Sequence, residues 1–371
     1  NLGMLYGQRG NSELAEKLFR QAVETNPQYS QAHLHLGLTL AAEGRFQEAQ
    51  SEIETAVRLE PTHARALTAF GMVQAKQGKL SESAQTFRKV ITIEPYSAEA
   101  HVNLGIALAD GFDLEHALTE FSEAVRLAPH AAVGHYNRGR ALFDLHRYPE
   151  AKTELEAAYH LDATQSSALY LLALIERQEN NSIRCVELLQ KVVAMEPTNA
   201  NAHSLLGQSF FRMGKIGEAV AHWEKAVEID PENGEALYNL SRALNKEGPQ
   251  KAQIYQKRFV AFQQRRQITD RAETLGNFAL SAATARDWEQ AVSQLKEAIG
   301  ICRECRSRGD LHKNLGLIYC RSGDLKKGER ELRRALELKP NDPDVVKALR
   351  ILETVQSGQR GSNLGDLREP L

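Results

Sequence analysis

The sequence predicts an all-α chain built of helix-turn-helix units stacked into a solenoid. The first observation behind this is a phrase that recurs every 34 residues: Leu36-Gly37, Ala49, Ile53, Ala56 and Pro61, then Phe70-Gly71, Ser83, Phe87, Val90 and Pro95, then Leu104-Gly105, Ala117, Phe121, Ala124 and Pro129. A fixed period of this length belongs to helical repeats, in which each unit buries its apolar face only against its neighbours. The second is punctuation. Gly10, Gly44, Gly78, Gly214 and Gly323 fall between paired helical stretches, where a left-handed residue ends a helix. Pro27, Pro61, Pro95, Pro129, Pro197, Pro231 and Pro340 stop the second helix of each pair. The third is composition: 42% hydrophobic and 25% charged residues, a mean hydropathy of −0.44, and no apolar run near the roughly 20 residues a bilayer-crossing helix needs.

At 371 residues the chain would ordinarily divide into two or three domains, but repetition adds units instead of enlarging one core. Anchored on the prolines, repeats are expected at 1–29, 30–63, 64–97, 98–131, 132–165, 166–199, 200–233, 234–267, 272–305 and 309–342. The first is short. Leu2-Gly3, Tyr6, Gly10, Ala15, Phe19, Ala22 and Pro27 enter the phrase part-way, so the sequence is expected to be a fragment and localisation is left open. In the next six repeats Gly37, Gly71, Gly105, Gly139 and Gly207 should let the paired helices approach, with Ala49, Ala117, Ala151 and Ala219 small on the opposite side. Phe19, Phe87, Phe121 and Trp223 should fill the space between repeats.

The sixth repeat departs most: Ala173 replaces the glycine, Glu176 stands at an apolar position and Asn180-Asn181 fills the turn, read as drift or as a softer joint. In the eighth, Ala252, Tyr255, Phe259 and Phe262 form a stripe at helical spacing after Gly248-Pro249. A helix from 249 to about 267 is expected, then a new helix from about 271, with Asp270 and Glu273 as its cap. The domain division is therefore 1–267 for eight repeats, 268–342 for a short insertion and two more, 343–355 for a capping helix carrying Val345, Val346, Leu349 and Leu352, and 356–371 for a disordered tail.

The spacing of Leu-Gly, Ala, Phe and Pro resembles the tetratricopeptide repeat (TPR), and the resemblance covers nearly the whole chain. It implies a right-handed superhelix of about ten repeats with a C-terminal capping helix, and a scaffold that binds other proteins. It also implies that the first helices line a concave groove. Mapped by that resemblance, the middle of the groove carries Tyr136, Asn137, Arg140, Phe143, Tyr170, Arg177, Phe211, Arg212, Tyr238, Asn239 and Arg242. Tyrosine and arginine often dominate interface energy, and guanidinium groups favour carboxylates. The implied partner is a protein or peptide, extended and acidic, with an aromatic or large apolar anchor. Asn103, Asn137, Asn239, Asn277 and Asn314 recur at one position, which resembles the asparagine ladder of O-GlcNAc-transferase TPR arrays. An alternative is thus a substrate-recruiting arm of a larger enzyme such as a glycosyltransferase. The lysine and asparagine set of chaperone-binding TPRs is missing, which disfavours a chaperone adaptor.

No P-loop, dinucleotide loop, H-E-x-x-H or G-x-S-x-G is present, so no catalytic residue and no cofactor are expected. His33, His101, His135, His203 and His312 share the fourth position of their repeats and are read as packing residues, too far apart to share a metal. Cys302-Arg303-Glu304-Cys305 is read first as free thiols, with a disulfide and a metal site as alternatives. A net charge of −2 gives no pull towards nucleic acid or acidic membrane, and neither is expected as a partner. Lys251, Lys257, Arg258, Arg265, Arg266 and Arg271 make one helix basic, as a solvated face or as a contact for an acidic partner. Oligomeric state is left open.

Overall fold

The computed structural model describes residues 2–245, 248–340 and 342–356, and these contain twenty α-helices and no strand. The chain forms two compact units, Asn1–Ile229 and Asp230–Leu371. Unit 1 holds seven helix pairs: α1 (Leu2–Gln8) with α2 (Ser12–Thr25), α3 (Ser30–Ala42) with α4 (Phe46–Leu59), α5 (Ala64–Lys76) with α6 (Leu80–Ile93), α7 (Ala98–Asp110) with α8 (Leu114–Leu127), α9 (Ala132–Asp144) with α10 (Tyr148–Leu161), α11 (Ser166–Gln178) with α12 (Ser182–Met195), and α13 (Ala200–Arg212) with α14 (Ile216–Ile229). In unit 2 are α15 (Gly234–Ala243), α16 (Pro249–Thr284), α17 (Trp288–Ile301), α18 (Arg308–Ser322), α19 (Leu325–Leu338) and α20 (Pro343–Gln356). Among the described residues no helix is long and apolar enough to cross a membrane.

Six of the seven pairs of unit 1 close through one recurring contact, the sixth repeat having Ala173 in place of the glycine. A Cβ placed on Gly37 would stand 2.4 Å from Cγ1 of Ile53; on Gly105 it would stand 2.5 Å from Phe121, and on Gly207 2.4 Å from Nε1 of Trp223. The glycine of the first helix is thus the seat of the large residue on the second, and a methyl there would overpack by about 1–3 kcal/mol. Trp223 also donates its Nε1 proton to the Ser204 carbonyl at 3.1 Å, so its one polar atom is satisfied inside the core. In the third repeat Ser83 stands in for alanine and donates to the Gly71 carbonyl at 2.8 Å. Successive first helices also touch one another, α3 with α5, α5 with α7, α7 with α9 and α9 with α11, so they make one layer of unit 1.

The turns within pairs need a left-handed residue. Gly10, Gly44, Gly78, Gly214 and Gly323 supply it, with φ between 76° and 95°. Phe112 (φ 64°), His146 (59°), Asn180 (60°) and Arg286 (63°) adopt it without being glycine, at the same place in their repeats. The sixth repeat is closed by polar bonds instead of glycine: Glu176, only 3% exposed, meets Nζ of Lys152 at 2.5 Å and accepts from Nδ2 of Asn181 at 2.8 Å.

Two expectations are corrected. The chain does not break near 268–271; α16 is one helix of 36 residues that closes the eighth repeat and opens the ninth. Between Pro249 and Gly276 nothing disfavours helix, and Asp270 is no cap: its carbonyl accepts from Thr274 Oγ1 at 2.8 Å and its carboxylate lies 3.9 Å from Arg266, one turn back. Cys302 and Cys305 are joined as a disulfide in the α17–α18 turn instead of being free; their Cα atoms lie 5.3 Å apart, within bridging range. Cys185 and Cys320 are buried free thiols. Helix α20 packs Val345, Ala348 and Leu352 against Leu332 and Ala335 of α19. Beyond Gln356, the expected disordered tail lies outside the described residues.

Candidate functional site: the first-helix face

The first-helix layer of unit 1 carries eight of the residues picked out above, on α9, α11 and α13. Arg177 and Arg212 come together. Nη1 of Arg212 donates to the Arg177 carbonyl at 3.5 Å, at the C-terminal end of α11, where a cation suits the exposed carbonyls. Nη1 of Arg177 donates to Oε1 of Gln208 on α13 at 3.3 Å. Neither guanidinium meets a carboxylate among the described residues. Phe211, next to Arg212, is 46% exposed, with its ring 5.6 Å from Trp223 beneath. Tyr136 and Tyr170 are half-buried on α9 and α11.

The rest are placed differently. Arg140 lies 3.7 Å from Oδ1 of Asp110 on α7, so part of its charge is already met. Asn137 is buried, at 6% exposure, and its Nδ2 donates to the Val133 carbonyl of its own helix at 2.8 Å. Phe143 is half-buried and turned towards Tyr148 of α10, ring centroids 5.6 Å apart.

In unit 2, α15 carries Tyr238, Asn239 and Arg242. Arg242 lies over the Tyr238 ring at 5.5 Å and donates to its hydroxyl at 3.0 Å, while Phe259 of α16 packs 5.3 Å from the same ring. The basic stretch of α16 is largely committed within unit 2. Arg265 pairs with Glu232 at 3.1 Å, Arg271 with Glu297 at 2.9 Å, and Arg258 donates to the Pro231 carbonyl at 3.2 Å.

Sequence reasoning missed a device that runs through the repeats. His33, His101, His135 and His312 each hold a glutamate of the second helix, Glu52, Glu120, Glu154 and Glu331, through Nδ1 at 2.7 to 2.8 Å. The first three turn Nε2 to the carbonyl of the preceding repeat's last proline, Pro27, Pro95 or Pro129, at 3.0 to 3.4 Å. One ring thus ties both helices of a repeat to the turn before it. The signal was readable: a glutamate stands 19 residues after each of these histidines. Among the described residues no three His, Cys, Asp or Glu side chains are placed to hold a metal.

Comparison with known proteins agrees with this architecture. Tetratricopeptide-repeat models match residues 1–52, 40–98 and 309–342, and a TPR-repeat model matches 207–248. A model of anaphase-promoting complex, cyclosome, subunit 3 matches 144–226. The chain is 23% identical over 203 residues to the DnaJ homolog subfamily C member 7 homolog of Schizosaccharomyces pombe, a match covering 50% of this chain and 41% of that protein. Among solved structures it resembles pilF of Pseudomonas aeruginosa (TM-score 0.52, 19% identity, 57% of this chain and 97% of that one). It also resembles the C-terminal part of a TPR repeat-containing protein from Cytophaga hutchinsonii (TM-score 0.50, 15% identity, 64% and 98%). At these identities the structural likeness establishes the fold.

Proposed function

The chain is a tetratricopeptide-repeat protein, a scaffold for protein interaction, and from that premise we propose that the first-helix face of unit 1 holds an extended acidic peptide. The supporting observation is the Arg177–Arg212 pair, two guanidinium groups with no carboxylate partner among the described residues, beside the exposed ring of Phe211. An acidic side chain or a C-terminal carboxylate answers the first need, and an aromatic or large apolar side chain packed on Phe211 and Tyr170 answers the second. Arg140 and Tyr136 extend the same face along α9. In this reading Asn137 offers Oδ1 and one N–H, since the other N–H is engaged by its own helix. The Tyr238 and Arg242 cluster on α15 has the same chemistry and is proposed as a further acceptor within unit 2. No group in the face is arranged to break or make a covalent bond, and the fold is typically a non-catalytic scaffold.

The test is the affinity of a short acidic peptide carrying one phenylalanine, measured by calorimetry. Arg177→Ala with Arg212→Ala should weaken binding about thirtyfold or more, the worth of a charged hot spot near 2 kcal/mol. Lys257→Ala with Arg258→Ala on α16 should change it less than about threefold, the scale of a solvated charge. The opposite pattern would move the site from the first-helix face to α16.

A further inference from the structure

The seventh repeat departs from the histidine tie in one respect. Its fourth-position ring, His203, faces not a glutamate but His222, Nδ1 to Nδ1 at 3.1 Å. Nε2 of His203 still turns to the Pro197 carbonyl at 3.2 Å and so carries a proton. A neutral His203 then accepts at Nδ1 the proton that His222 donates, and one proton serves both nitrogens. One added proton turns one ring into an imidazolium and keeps this bond; a further proton on the other ring would set N–H against N–H and leave two imidazolium cations in contact. Elsewhere the polarity is reversed: His33, His101 and His135 have an acceptor at each ring nitrogen, so a ring with both protons satisfies both bonds.

Of the groups that face the pair within unit 1, the Pro197 carbonyl favours charge on His203, while burial and Lys225 oppose it. From α14 there is Lys225, which disfavours charge on His203. From the α12–α13 turn comes the Pro197 carbonyl, which accepts from Nε2 of His203. From α13, Phe210 stacks on His222 with centroids 5.4 Å apart, and Lys215, in the α13–α14 turn, lies 5.8 Å from the centroid of the Phe210 ring. Burial holds both histidines below their ordinary range; at His203 the Pro197 bond opposes it and Lys225 adds to it, and at His222 the charge of His203 adds to it. Phe210 is also the link to the groove, since Phe211 and Arg212 follow it at the end of α13.

We propose that the seventh repeat is an acid-sensitive joint, in which protonation of His203 and His222 together parts α13 from α14 and loosens the Phe211–Arg212 edge of the groove. This rests on the groove reading above for its consequence, though not for the joint itself. The sign follows from linkage. The unfolded rings take up protons that the folded pair refuses, so stability is full above the ordinary histidine value of about 6.5 and falls as pH drops below it.

The decisive variant is His222→Glu, which installs in the seventh repeat the partner used in four others. Unfolding in urea is followed by Trp223 fluorescence in a Trp288→Phe background, at about pH 7.5 and about pH 5.5, either side of the histidine range. The midpoint of the parent should fall by about 0.5 M in acid, the equivalent of one proton held one unit apart, while that of His222→Glu should not. Equal behaviour of the two proteins overturns the joint. Should His222→Glu fail to fold, His203→Leu serves, since leucine holds this position at Leu67 and Leu169. Binding of the acidic phenylalanine peptide, measured at both pH values, tests the link to the groove. Acid should weaken the parent at least about threefold more than His222→Glu; an equal loss overturns the coupling. No binding to either protein at neutral pH defeats the groove reading, while the urea midpoints still decide the joint.

Discussion

At the scale of single residues, the chain shows how far a repeat phrase constrains chemistry. Positions that touch something across the pair are specified: a Cβ on Gly37 would collide with Ile53, and Ile53 is fully buried because Gly37 admits it. Positions that only need a backbone conformation are less strict. Phe112 takes the left-handed turn at φ 64° with its side chain 92% exposed, so its ring does nothing to offset the cost. Left-handed conformation disfavours an ordinary residue by roughly 1–2 kcal/mol. Phe112→Gly should therefore stabilise unit 1, less the extra entropy glycine gains on unfolding, by about 0.5–1 kcal/mol, read as a rise in the thermal midpoint. A fall would show that the ring makes a contact the structure does not contain. The glycine of this turn stands one place earlier, at Gly111, where φ is −82° and no left-handed residue is needed.

At the scale of elements, helices were legible where something ends them. Most paired helices of unit 1 end at left-handed turns or prolines, and four of their starts carry a capping side chain: Asn11, Ser97, Asn181 and Asn199 each accept from the backbone N–H three residues on. Helix α16 was misread because Asp270 and Glu273 imitate such a start. A cap sequence works only if the preceding residue has left the helix, and nothing before Asp270 forces it to leave. Continuity there has a direct test. Ile268→Pro removes one hydrogen bond in the middle of α16 and clashes with the carbonyl four residues back, so it should cost about 3 kcal/mol and lower the helical circular dichroism. A loop at 268–271 would accept proline with little change in either quantity. The histidine ties are the other element-scale feature, and they were hidden for a different reason. A period search looks for the same residue at each repeat, whereas the tie is a relation between two positions. It shows when a glutamate is sought 19 residues after each histidine, a spacing that His203 answers with His222 instead.

At the scale of the molecule, the fold class was legible almost throughout, because the period, the glycines and the prolines all report the same unit. The groove was legible only as a face. The resemblance could assign Arg140, Arg177 and Arg212 to it as an expectation, but not say that Asp110 answers the first and that, among the described residues, no carboxylate answers the other two. It could not say either that Asn137 gives one amide N–H to Val133. Side-chain commitment depends on neighbours a repeat away, which a position-by-position reading does not see. The central claim is that unit 1 works through its first-helix face, and photo-crosslinking tests it most directly. Benzoylphenylalanine replaces Phe211 on the first-helix face in one protein and Glu187, exposed on α12, in another. Each is irradiated with the acidic phenylalanine peptide, and the adduct is located by mass spectrometry. The account predicts an adduct from position 211 that excess unlabelled peptide suppresses, and none from position 187. An adduct from 187 with none from 211 would contradict it.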